Sequence, residues 1–319
     1  MNIAILGYGV IGKGVFEICK NISNINVVKI LERKERFDEN YLDLFTDDYN
    51  EIFNDKNIDL IVEVLGGYDF AKEMILQAFK TGKHIVTANK EIVAKDIDLL
   101  VNLSKATGVS IAYEASVGGG IPIIKNIKEL KKVNQIKKIS GILNGTTNFI
   151  LTKMFEGLDF KTALKEAQRL GFAEADPTAD LEGFDMMRKI AILSDLAWDT
   201  FIDINLIKQT GITKITQEDV KQAKLNNQVI KFVCESTKVD DHIEISVEPK
   251  LFDNSHFFST VNNEFNAVIL ETYPNDTLTF IGKGAGSLPT ATAIVLDIVD
   301  IIENRCLVCY DNKKKYMIN

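Results

Sequence analysis

Hydrophobic runs and polar breaks alternate along the first third of the chain. Short runs rich in valine and isoleucine predict strands at residues 2–7, 27–31, 60–65, 85–88 and 109–113. Between them, apolar residues recur at helical spacing and predict helices at 10–22, 70–80 and 91–106. Strands that alternate with helices indicate a parallel sheet covered on both faces, with right-handed crossover connections.

The pattern changes after about residue 130. Periodicity predicts helices at 147–156, 161–170 and 185–196, and then strands at 229–238, 243–248, 267–273 and 277–281. Thr216 and Asp219 have the spacing of a helix start, and Pro289 suits the first turn of a helix at 291–302. This order indicates an α+β second domain. We predict domains at 1–132 and 133–286, with a C-terminal helical segment, 287–319, that packs back on the first.

Length and charge narrow the class of protein. The 319 residues, 46% hydrophobic and 26% charged, exceed the roughly 250–300 residues at which a single core stops growing. The net charge of -8 and the pI near 5.1 disfavour nucleic acid and anionic membranes as partners, since both need a basic surface. No apolar run approaches the ~20 residues of a membrane span, and the chain opens directly into the strand-like MNIAIL. We expect a cytoplasmic protein.

The four cysteines are scattered, unlike the dense pattern of a disulfide-stabilised secreted domain. Cys306 and Cys309 form a C-x-x-C motif with no second such pair and no histidine nearby. A zinc ion would lack two of its four ligands there. We interpret the two residues as ordinary unpaired thiols, with a redox pair as the alternative.

A glycine-rich segment follows the first predicted strand and opens the first predicted helix; it reads Gly7-Tyr8-Gly9-Val10-Ile11-Gly12. In G-x-G-x-x-G the first glycine permits a tight turn, the second lets the backbone approach a pyrophosphate, and the third lets the helix lie close to the strand. The helix N-terminus offers N–H groups and partial positive charge to the phosphates. We predict a dinucleotide-binding domain with a doubly wound sheet of the Rossmann type. The alternative is a strand–helix turn without a ligand.

Glu32 and Arg33 stand about 20 residues past the last glycine, where an acidic residue commonly binds the ribose 2′-hydroxyl. A carboxylate there repels a 2′-phosphate and favours NAD, whereas the guanidinium can pair with that phosphate and favour NADP. A solvated strand end is the third possibility. The sequence leaves the choice between the two cofactors open.

Two segments carry charged residues that suit a catalytic site. Lys90 ends the segment TANK at the C-terminal end of a predicted parallel strand, where doubly wound sheets place their ligands. A surface lysine at a helix start is the alternative. Residues 174–189 are rich in carboxylates, for which compensation of a helix dipole is the plainer explanation.

Asp185 and Lys189 are spaced i, i+4, so they share one helix face on which the carboxylate can hold the ammonium. The neighbours of the lysine in sequence are apolar: Met186, Met187, Ile190, Ala191 and Leu193. We expect partial desolvation of Lys189, which makes its proton easier to release, as a general acid–base lysine requires.

Five segments, in order, resemble the signature segments of the homoserine dehydrogenases: GYGVIGKGV, GKHIVTANK, YEASVGGGIPII, GILNGTTNFILTKM and ADPTADLEGFDMMRKIAIL. GKGAG at 282–286, followed by Leu288-Pro289-Thr290, resembles the closing motif of that family. Several long matches in order are far more specific than a glycine loop. The resemblance implies NAD(P)-dependent interconversion of L-homoserine and L-aspartate 4-semialdehyde in threonine and methionine biosynthesis. It also implies a homodimer whose second domain serves catalysis and dimerisation.

The resemblance further implies roles for individual residues. Lys189 would exchange the proton with the substrate oxygen, Lys90 would help to polarise it, and Asp185 would position both substrate and Lys189. Glu174 would bind the substrate amino group, with Asp180 in the same pocket. Charge fits this assignment, because an ammonium requires carboxylates and a developing alkoxide requires lysines. The implied cofactor contacts are Gly7, Gly9, Val10, Ile11, Gly12, Arg33, Lys90 and Gly284.

A monovalent cation, usually sodium in this family, is a further implication of the resemblance. Its ligands would be oxygens of Glu114 and of the glycine-rich turn at Val117, Gly119 and Ile121. Hard cations take carboxylate and carbonyl oxygens, so a strand end that runs into three glycines is chemically suited. A flexible hinge between domains is the alternative interpretation of the glycines.

The sequence departs from the family pattern in two places. Glu32 stands where the familiar pattern has an apolar residue before the arginine, which puts a preference for NADP in doubt. The chain ends at Asn319 without the C-terminal regulatory domain of many relatives, as in a short form, and no kinase domain precedes it. We therefore expect that threonine does not inhibit strongly; clear inhibition at low threonine concentrations would contradict this.

Two other functions fit parts of the sequence. A dehydrogenase that acts on the nitrogen-bearing carbon of another amino acid would use the same carboxylate-rich segment, and motif identity alone disfavours it. A dinucleotide sensor would bind NAD(P)H and oxidise nothing, which would leave Lys90, Asp185 and Lys189 without a use.

Overall fold

The structure is a computed structural model that describes residues 1–305 and 317–318. These residues form two compact units, 1–122 with 286–305 and 123–285 with 317–318. Cys306 and Cys309, the predicted thiol pair, lie outside the described residues. Cys19 and Cys234 are free and buried. Burial raises the pKa of both thiols, which keeps them in the unreactive protonated form.

Six parallel strands form the sheet of the first unit. They are β1 (Asn2–Leu6), β2 (Asn26–Leu31), β3 (Phe45–Thr46), β4 (Leu60–Glu63), β5 (His84–Thr87) and β6 (Ile111–Ala112). The connecting helices are α1 (Val10–Cys19), α2 (Tyr49–Phe53), α3 (Asp69–Thr81) and α4 (Lys90–Thr107). The strand order β3-β2-β1-β4-β5-β6 reverses direction between β1 and β4. The predicted Rossmann-type sheet is confirmed, and such sheets bind ligands at that reversal, beyond the carboxyl ends of the strands.

The side chains of β1 alternate between two apolar clusters. Ile3 and Ile5 pack in a cluster with residues of α1, whereas Ala4 and Leu6 pack in another with residues of α3 and α4. Because successive side chains of a strand point to opposite faces, a strand covered on both faces must be apolar throughout. The continuous hydrophobic run at the start of the chain is the result.

Most helices of the second unit precede most of its strands along the chain. Its strands are β7 (Gln135–Ile142), β8 (Lys208–Gln209), β9 (Gln228–Val239), β10 (His242–Asp253), β11 (Phe265–Tyr273), β12 (Asp276–Lys283) and β13 (Met317–Ile318). Its helices are α5 (Ile123–Leu130), α6 (Gly145–Phe155), α7 (Phe160–Arg169), α8 (Thr178–Leu181), α9 (Phe184–Trp198) and α10 (Gln217–Leu225). The strand order is β12-β11-β7-β9-β10-β13, and β8 also pairs with β10. The predicted α+β architecture is confirmed.

The last helix, α11 (Ser287–Ile302), belongs to the first unit and packs on α1. Ser287 donates a hydrogen bond from Oγ to the carbonyl oxygen of Val10 at 2.7 Å. Gly14 of α1 makes this close approach feasible, because an added Cβ would lie 3.0 Å from Cβ of Ala291. Short 3₁₀ helices occur at Lys34–Arg36, Glu39–Leu44, Glu114–Ser116, Ile204–Leu206 and Phe257–Thr260.

The division of the chain differs from the predicted one at two points. It falls at 122/123 instead of 132/133, because α5 packs against α9 of the second unit. Lys131, just after α5, strengthens that attachment by donating hydrogen bonds to the carbonyl oxygen of Leu196 and to Asp199. In addition, β13 pairs with β10 in the second unit, so the segment 287–319 does not lie wholly with the first.

Strand β7 is the main element that the sequence pattern missed. It pairs with both β11 and β9 in the middle of the second sheet. Its isoleucines, Ile136, Ile139 and Ile142, are spaced by three, which matches no strand alternation, and two lysines interrupt the run. The short elements β3, α2, α5 and β8 were also missed. The start predicted for α10 is confirmed: Thr216 and Asp219 form a reciprocal capping box.

None of the helices in the described residues is long and apolar enough to cross a membrane.

A buried lysine in the second unit provides a test of pH-dependent stability. Lys231 is 3% exposed, and its Nζ donates to the carbonyl oxygen of Val261 at 2.5 Å and to Oδ1 of Asn262 at 2.9 Å. Burial lowers its pKa from 10.5 to about 8. Between those values the unfolded chain binds more protons than the folded one, so this lysine makes stability rise with pH.

We therefore expect the free energy of unfolding of the wild type, relative to Lys231→Met, to increase by about 3 kcal/mol at most between pH 8 and 10.5. Urea unfolding of both proteins at several pH values measures this difference. Other titrating groups, including Cys19, cancel in it because both proteins contain them. A difference that is constant across this range would contradict the expectation.

Candidate functional site

The glycine loop connects β1 to α1 and leaves one surface open. Gly7 has φ 103°, and an added Cβ would lie 2.8 Å from the carbonyl oxygen of Val64. An added Cβ on Gly12 would lie 2.0 Å from the carbonyl oxygen of Gly7. Gly9 has nothing within 4 Å of an added Cβ, and Val10 beside it is 71% exposed. The N-terminus of α1 is therefore accessible, as pyrophosphate binding requires.

Ile11, the remaining predicted cofactor contact in this loop, is half-buried against the apolar cluster that contains α1. Ile11 and Gly12 are thus less exposed to solvent than Gly9 and Val10. The open part of the loop is its middle, at the first turn of α1.

Glu32 reaches from the end of the sheet back to the glycine loop. Its Oε2 accepts a hydrogen bond from the N–H of Tyr8 at 3.0 Å, and its Oε1 accepts one from the N–H of Arg33 at 3.0 Å. The side chain of Glu32 is half-buried, whereas Arg33 is exposed. The carboxylate is therefore fixed at the place where this fold binds the ribose.

Lys90 is the first residue of α4, directly after the loop that follows β5, and it is half-buried. Asn89 caps that helix by accepting from the N–H of Ile92 at 3.3 Å, and its Nδ2 donates to the carbonyl oxygen of Gly67 at 2.7 Å. These contacts fix the backbone before Lys90. The lysine lies at the carboxyl edge of the parallel sheet, the same edge as the glycine loop.

The candidate cation turn follows β6. Glu114 is 6% exposed, and its N–H donates to Oδ2 of Asp297 at 2.8 Å. Val117 and Ile121 are buried, and Gly119 has φ 55°, which favours glycine. The described residues contain no group of three or more His, Cys, Asp or Glu that could hold a metal ion. One carboxylate with several carbonyl oxygens nevertheless fits a hard monovalent cation.

In the second unit, Lys189 and Asp185 pair on the first turns of α9. Nζ of Lys189 lies 2.8 Å from Oδ2 of Asp185 and donates to the carbonyl oxygen of Leu143 at 2.7 Å. The two residues are 8% and 4% exposed. The ammonium and the carboxylate therefore interact in surroundings that screen charge much less than water does.

Asn144 connects this pair to a second acid. Its Nδ2 donates to Oδ1 of Asp180 at 2.7 Å and to Oδ2 of Asp185 at 2.9 Å, while its Oδ1 accepts from the N–H of Thr147 at 2.8 Å. The asparagine is thereby held as the cap of α6 and bridges the two carboxylates. Sequence reasoning assigned it no role. The available signal was an asparagine three residues ahead of the predicted helix 147–156, a residue type that favours an N-cap.

Two other predicted residues of this unit lie outside the Lys189 pair. Glu174 is exposed on the loop after α7, and its carbonyl oxygen accepts from Nε2 of Gln168 at 3.1 Å. No contact within the described chain joins its carboxylate to Lys189. Gly284 follows β12, and an added Cβ would lie 1.4 Å from Oδ1 of the buried Asn266, so only glycine fits there.

The fold and these side chains define the class of NAD(P)-dependent dehydrogenases, which need a dinucleotide loop and a group that exchanges a proton. A family model described as homoserine dehydrogenase matches residues 122–299, and one described as its NAD binding domain matches residues 7–114. The homoserine dehydrogenase of Bacillus subtilis is 40% identical over 95% of this chain and 73% of its own length. The chain belongs to the homoserine dehydrogenase family.

Solved structures that resemble this chain belong to the same family. The crystal structure of a homoserine dehydrogenase from Thiobacillus denitrificans has a TM-score of 0.94 at 34% identity and covers 100% of this chain and 79% of that one. A hyperthermophilic archaeal homoserine dehydrogenase in complex with NADPH has a TM-score of 0.82 at 28% identity, with 95% and 98% covered. The chain is thus an NAD(P)-dependent oxidoreductase that interconverts L-homoserine and L-aspartate 4-semialdehyde in threonine and methionine biosynthesis. The function expected from the sequence is confirmed.

Proposed function

We propose that Lys189 is the general acid–base group of this reaction. Within the described residues its Nζ makes two hydrogen bonds, to Asp185 and to the carbonyl oxygen of Leu143, and this geometry carries the proposal. One N–H is then left for the substrate oxygen. The amine takes the hydroxyl proton when homoserine is oxidised, and the ammonium returns it when the semialdehyde is reduced. The bound nicotinamide accepts or supplies the hydride.

The carboxylates around Lys189 receive separate roles. Asp185 holds the lysine and positions the substrate, and Asn144 keeps Asp185 and Asp180 at fixed places. Asp180 and the exposed Glu174 bind the substrate ammonium. In the first unit, Lys90 polarises the substrate oxygen and contacts the cofactor. The charge of the substrate supports this division, because a zwitterion with a reacting oxygen needs both signs of charge in its site.

A spectrophotometric assay at 340 nm with L-homoserine, run separately with NAD and with NADP, tests the reaction directly. Reduction of either cofactor is expected with homoserine. Another amino acid as the preferred substrate would favour the related dehydrogenase, and binding of NAD(P)H without any turnover would favour the dinucleotide sensor.

Glu32 supports NAD as the preferred cofactor. Its carboxylate is held on the N–H of Tyr8, so it cannot turn away from the ribose position without losing that hydrogen bond. A 2′-phosphate there would meet a fixed negative charge, whereas a 2′-hydroxyl can donate to it. The exposed Arg33 offsets part of this repulsion. The archaeal relative in complex with NADPH shows that the family accommodates the phosphate.

Replacement of Glu32 by glutamine is expected to raise kcat/KM for NADP relative to that for NAD by about tenfold, because it removes about 1.4 kcal/mol or more of charge repulsion. Glutamine keeps an acceptor for the N–H of Tyr8. Steady-state kinetics with both cofactors measure the ratio. Glu35→Gln, a change at an exposed acid three residues along, is the control. An unchanged ratio in Glu32→Gln would count against this basis for the preference.

A sodium ion held by Glu114 and the carbonyl oxygens of Val117, Gly119 and Ile121 is also part of the proposal. When bound, the ion would be coordinated by the buried carboxylate and would stiffen the turn. Thermal unfolding in sodium and in tetramethylammonium chloride at equal ionic strength tests it without an activity assay. Sodium should stabilise the wild type and leave Glu114→Gln unaffected; equal stability of the wild type in both salts opposes the site.

We assign dinucleotide binding to the first unit, and catalysis and dimerisation to the second. Exposed apolar side chains on strands of the second sheet, Leu251, Tyr273 and Ile281, support a homodimer, since burial of such residues stabilises an interface. Light scattering measures the mass. The buried free thiols Cys19 and Cys234 suit the cytoplasm, where thiols stay reduced.

A further inference from the structure

Glu63 is a buried acid at the carboxyl edge of the first sheet. It is the last residue of β4, beside Leu6 of β1 on one side and Thr87 of β5 on the other, and it is 0% exposed. A carboxylate so deeply buried is costly unless hydrogen-bond donors satisfy it. Its donors therefore show which parts of the molecule depend on it.

Two hydrogen bonds hold the carboxylate of Glu63. Oε2 accepts from Oγ1 of Thr87 at 2.5 Å, and Oε1 accepts from the N–H of Leu65 at 2.9 Å. No lysine or arginine of the described chain pairs with it. Burial raises the pKa of Glu63, and the hydrogen bonds from Thr87 and Leu65 limit that rise. The carboxylate therefore binds the residues that begin two loops, and not a positive charge.

The first of these loops leads to Lys90. Oγ1 of Thr87, which donates to Glu63, accepts in turn from the N–H of Asn89 at 3.0 Å. The backbone of Asn89 is therefore linked to Glu63 through Thr87. Because Asn89 caps α4, the same contacts fix the first residue of that helix, Lys90.

The second loop, residues 64–67, lies against the glycine loop. Its N–H at Leu65 is held by Glu63, and its carbonyl at Gly67 accepts from Nδ2 of Asn89. At the start of this loop, the carbonyl oxygen of Val64 would lie 2.8 Å from a Cβ on Gly7. A shift of loop 64–67 would therefore be transmitted to the place where the pyrophosphate binds.

We propose that Glu63 is a positioning residue of the dehydrogenase, which through Thr87, Asn89 and loop 64–67 sets the place of Lys90 relative to the glycine loop. This rests on the proposed roles of Lys90 and of that loop. Small displacements matter in such a site, since about 1 Å of misplacement can cost about 10²-fold in rate. Glu63 itself touches neither substrate nor cofactor in this assignment.

The test compares Glu63→Gln, Thr87→Val and the double variant. Glutamine keeps the size of the side chain, and valine keeps the shape of threonine without its hydroxyl. We expect each single change to lower kcat with homoserine about tenfold or more, with a smaller change in KM for homoserine and a small change in melting temperature. The double variant should lose little more than either single one, because both changes break one path.

Ser104→Ala is the matched control. Ser104 is also buried in the first unit, and its Oγ donates to the carbonyl oxygen of Val109 at 2.6 Å, near the far end of α4. Its loss should lower stability and leave kcat unchanged. If Glu63→Gln has a kcat within twofold of wild type, or if Ser104→Ala loses as much kcat as Glu63→Gln at a similar loss of melting temperature, the positioning role is wrong.

The outcomes separate this inference from the proposed function. A wild type that oxidises homoserine, with variants that do so equally well, overturns the role of Glu63 alone. A wild type that oxidises no homoserine overturns the proposed function, and NADH fluorescence titration then still tests Glu63, because weaker binding is expected in the variant. Should Glu63→Gln fail to fold, Thr87→Val carries the same test.

Discussion

Replacement of Lys189 by alanine is expected to lower kcat for homoserine oxidation by about 10²–10⁴-fold, the range that a general acid–base group contributes. The variant loses the group that carries the proton and also the charge that neutralises the developing alkoxide. Binding of NADH should persist, because the glycine loop belongs to the other unit. Steady-state rates at 340 nm and fluorescence titration of NADH measure the two quantities separately. A variant within about tenfold of wild type would refute the acid–base role.

Lys131→Ala is the closest control for that variant. Nζ of Lys131 donates to Oδ1 of Asp199 at 2.6 Å and to the carbonyl oxygen of Leu196 at 2.8 Å, the same kinds of partner that Lys189 has, at the other end of α9. Its removal should cost stability without a comparable loss of kcat. If both alanine variants lose activity equally, the loss at Lys189 reflects damage to α9.

Lys189→Arg separates charge from proton transfer. Arginine can keep a positive charge beside Asp185, which avoids an unpaired buried carboxylate and its cost of about 3–5 kcal/mol. A guanidinium does not release its proton near neutral pH. The arginine variant should therefore fold better than the alanine variant and remain nearly as slow. Wild-type turnover in it would mean that charge alone is sufficient.

The contact between Asp185 and Lys189 was predictable because it is local. Both residues lie on one helix, and a spacing of four brings their side chains to one face whatever the rest of the fold does. The strand, glycine loop and helix at the start of the chain are predictable for the same reason, since Gly7 and its neighbours specify a turn between two strongly patterned elements.

Contacts between residues far apart in the sequence could not be predicted from local sequence patterns. Asn144 meets Asp180 and Asp185 across 36 and 41 residues, and that depends on how β7, α8 and α9 pack. Strand β7 has an ambiguous pattern of its own and is defined by its partners β9 and β11. The buried Glu63 lay inside the predicted strand 60–65 with no role assigned, because its donors, Leu65 after β4 and Thr87 of β5, come together only in the fold.

Two changes that each add one methyl group to the glycine loop should differ in their effect on melting temperature. Gly9→Ala is expected to leave the melting temperature unchanged, because the new methyl group has no protein atom within 4 Å. That methyl group would occupy the surface on which the pyrophosphate lies, and overpacking there costs about 1–3 kcal/mol. NADH should therefore bind about tenfold to a hundredfold more weakly.

Gly12→Ala is the counterpart, since its methyl group would lie 2.0 Å from the carbonyl oxygen of Gly7 inside the protein. It must displace α1 or the loop, so both the melting temperature and NADH affinity should fall. Differential scanning fluorimetry and NADH titration of the two variants distinguish a change in stability from a change in binding. Unchanged NADH affinity in Gly9→Ala would mean that the pyrophosphate does not approach this glycine, and the open surface above α1 would then need another ligand.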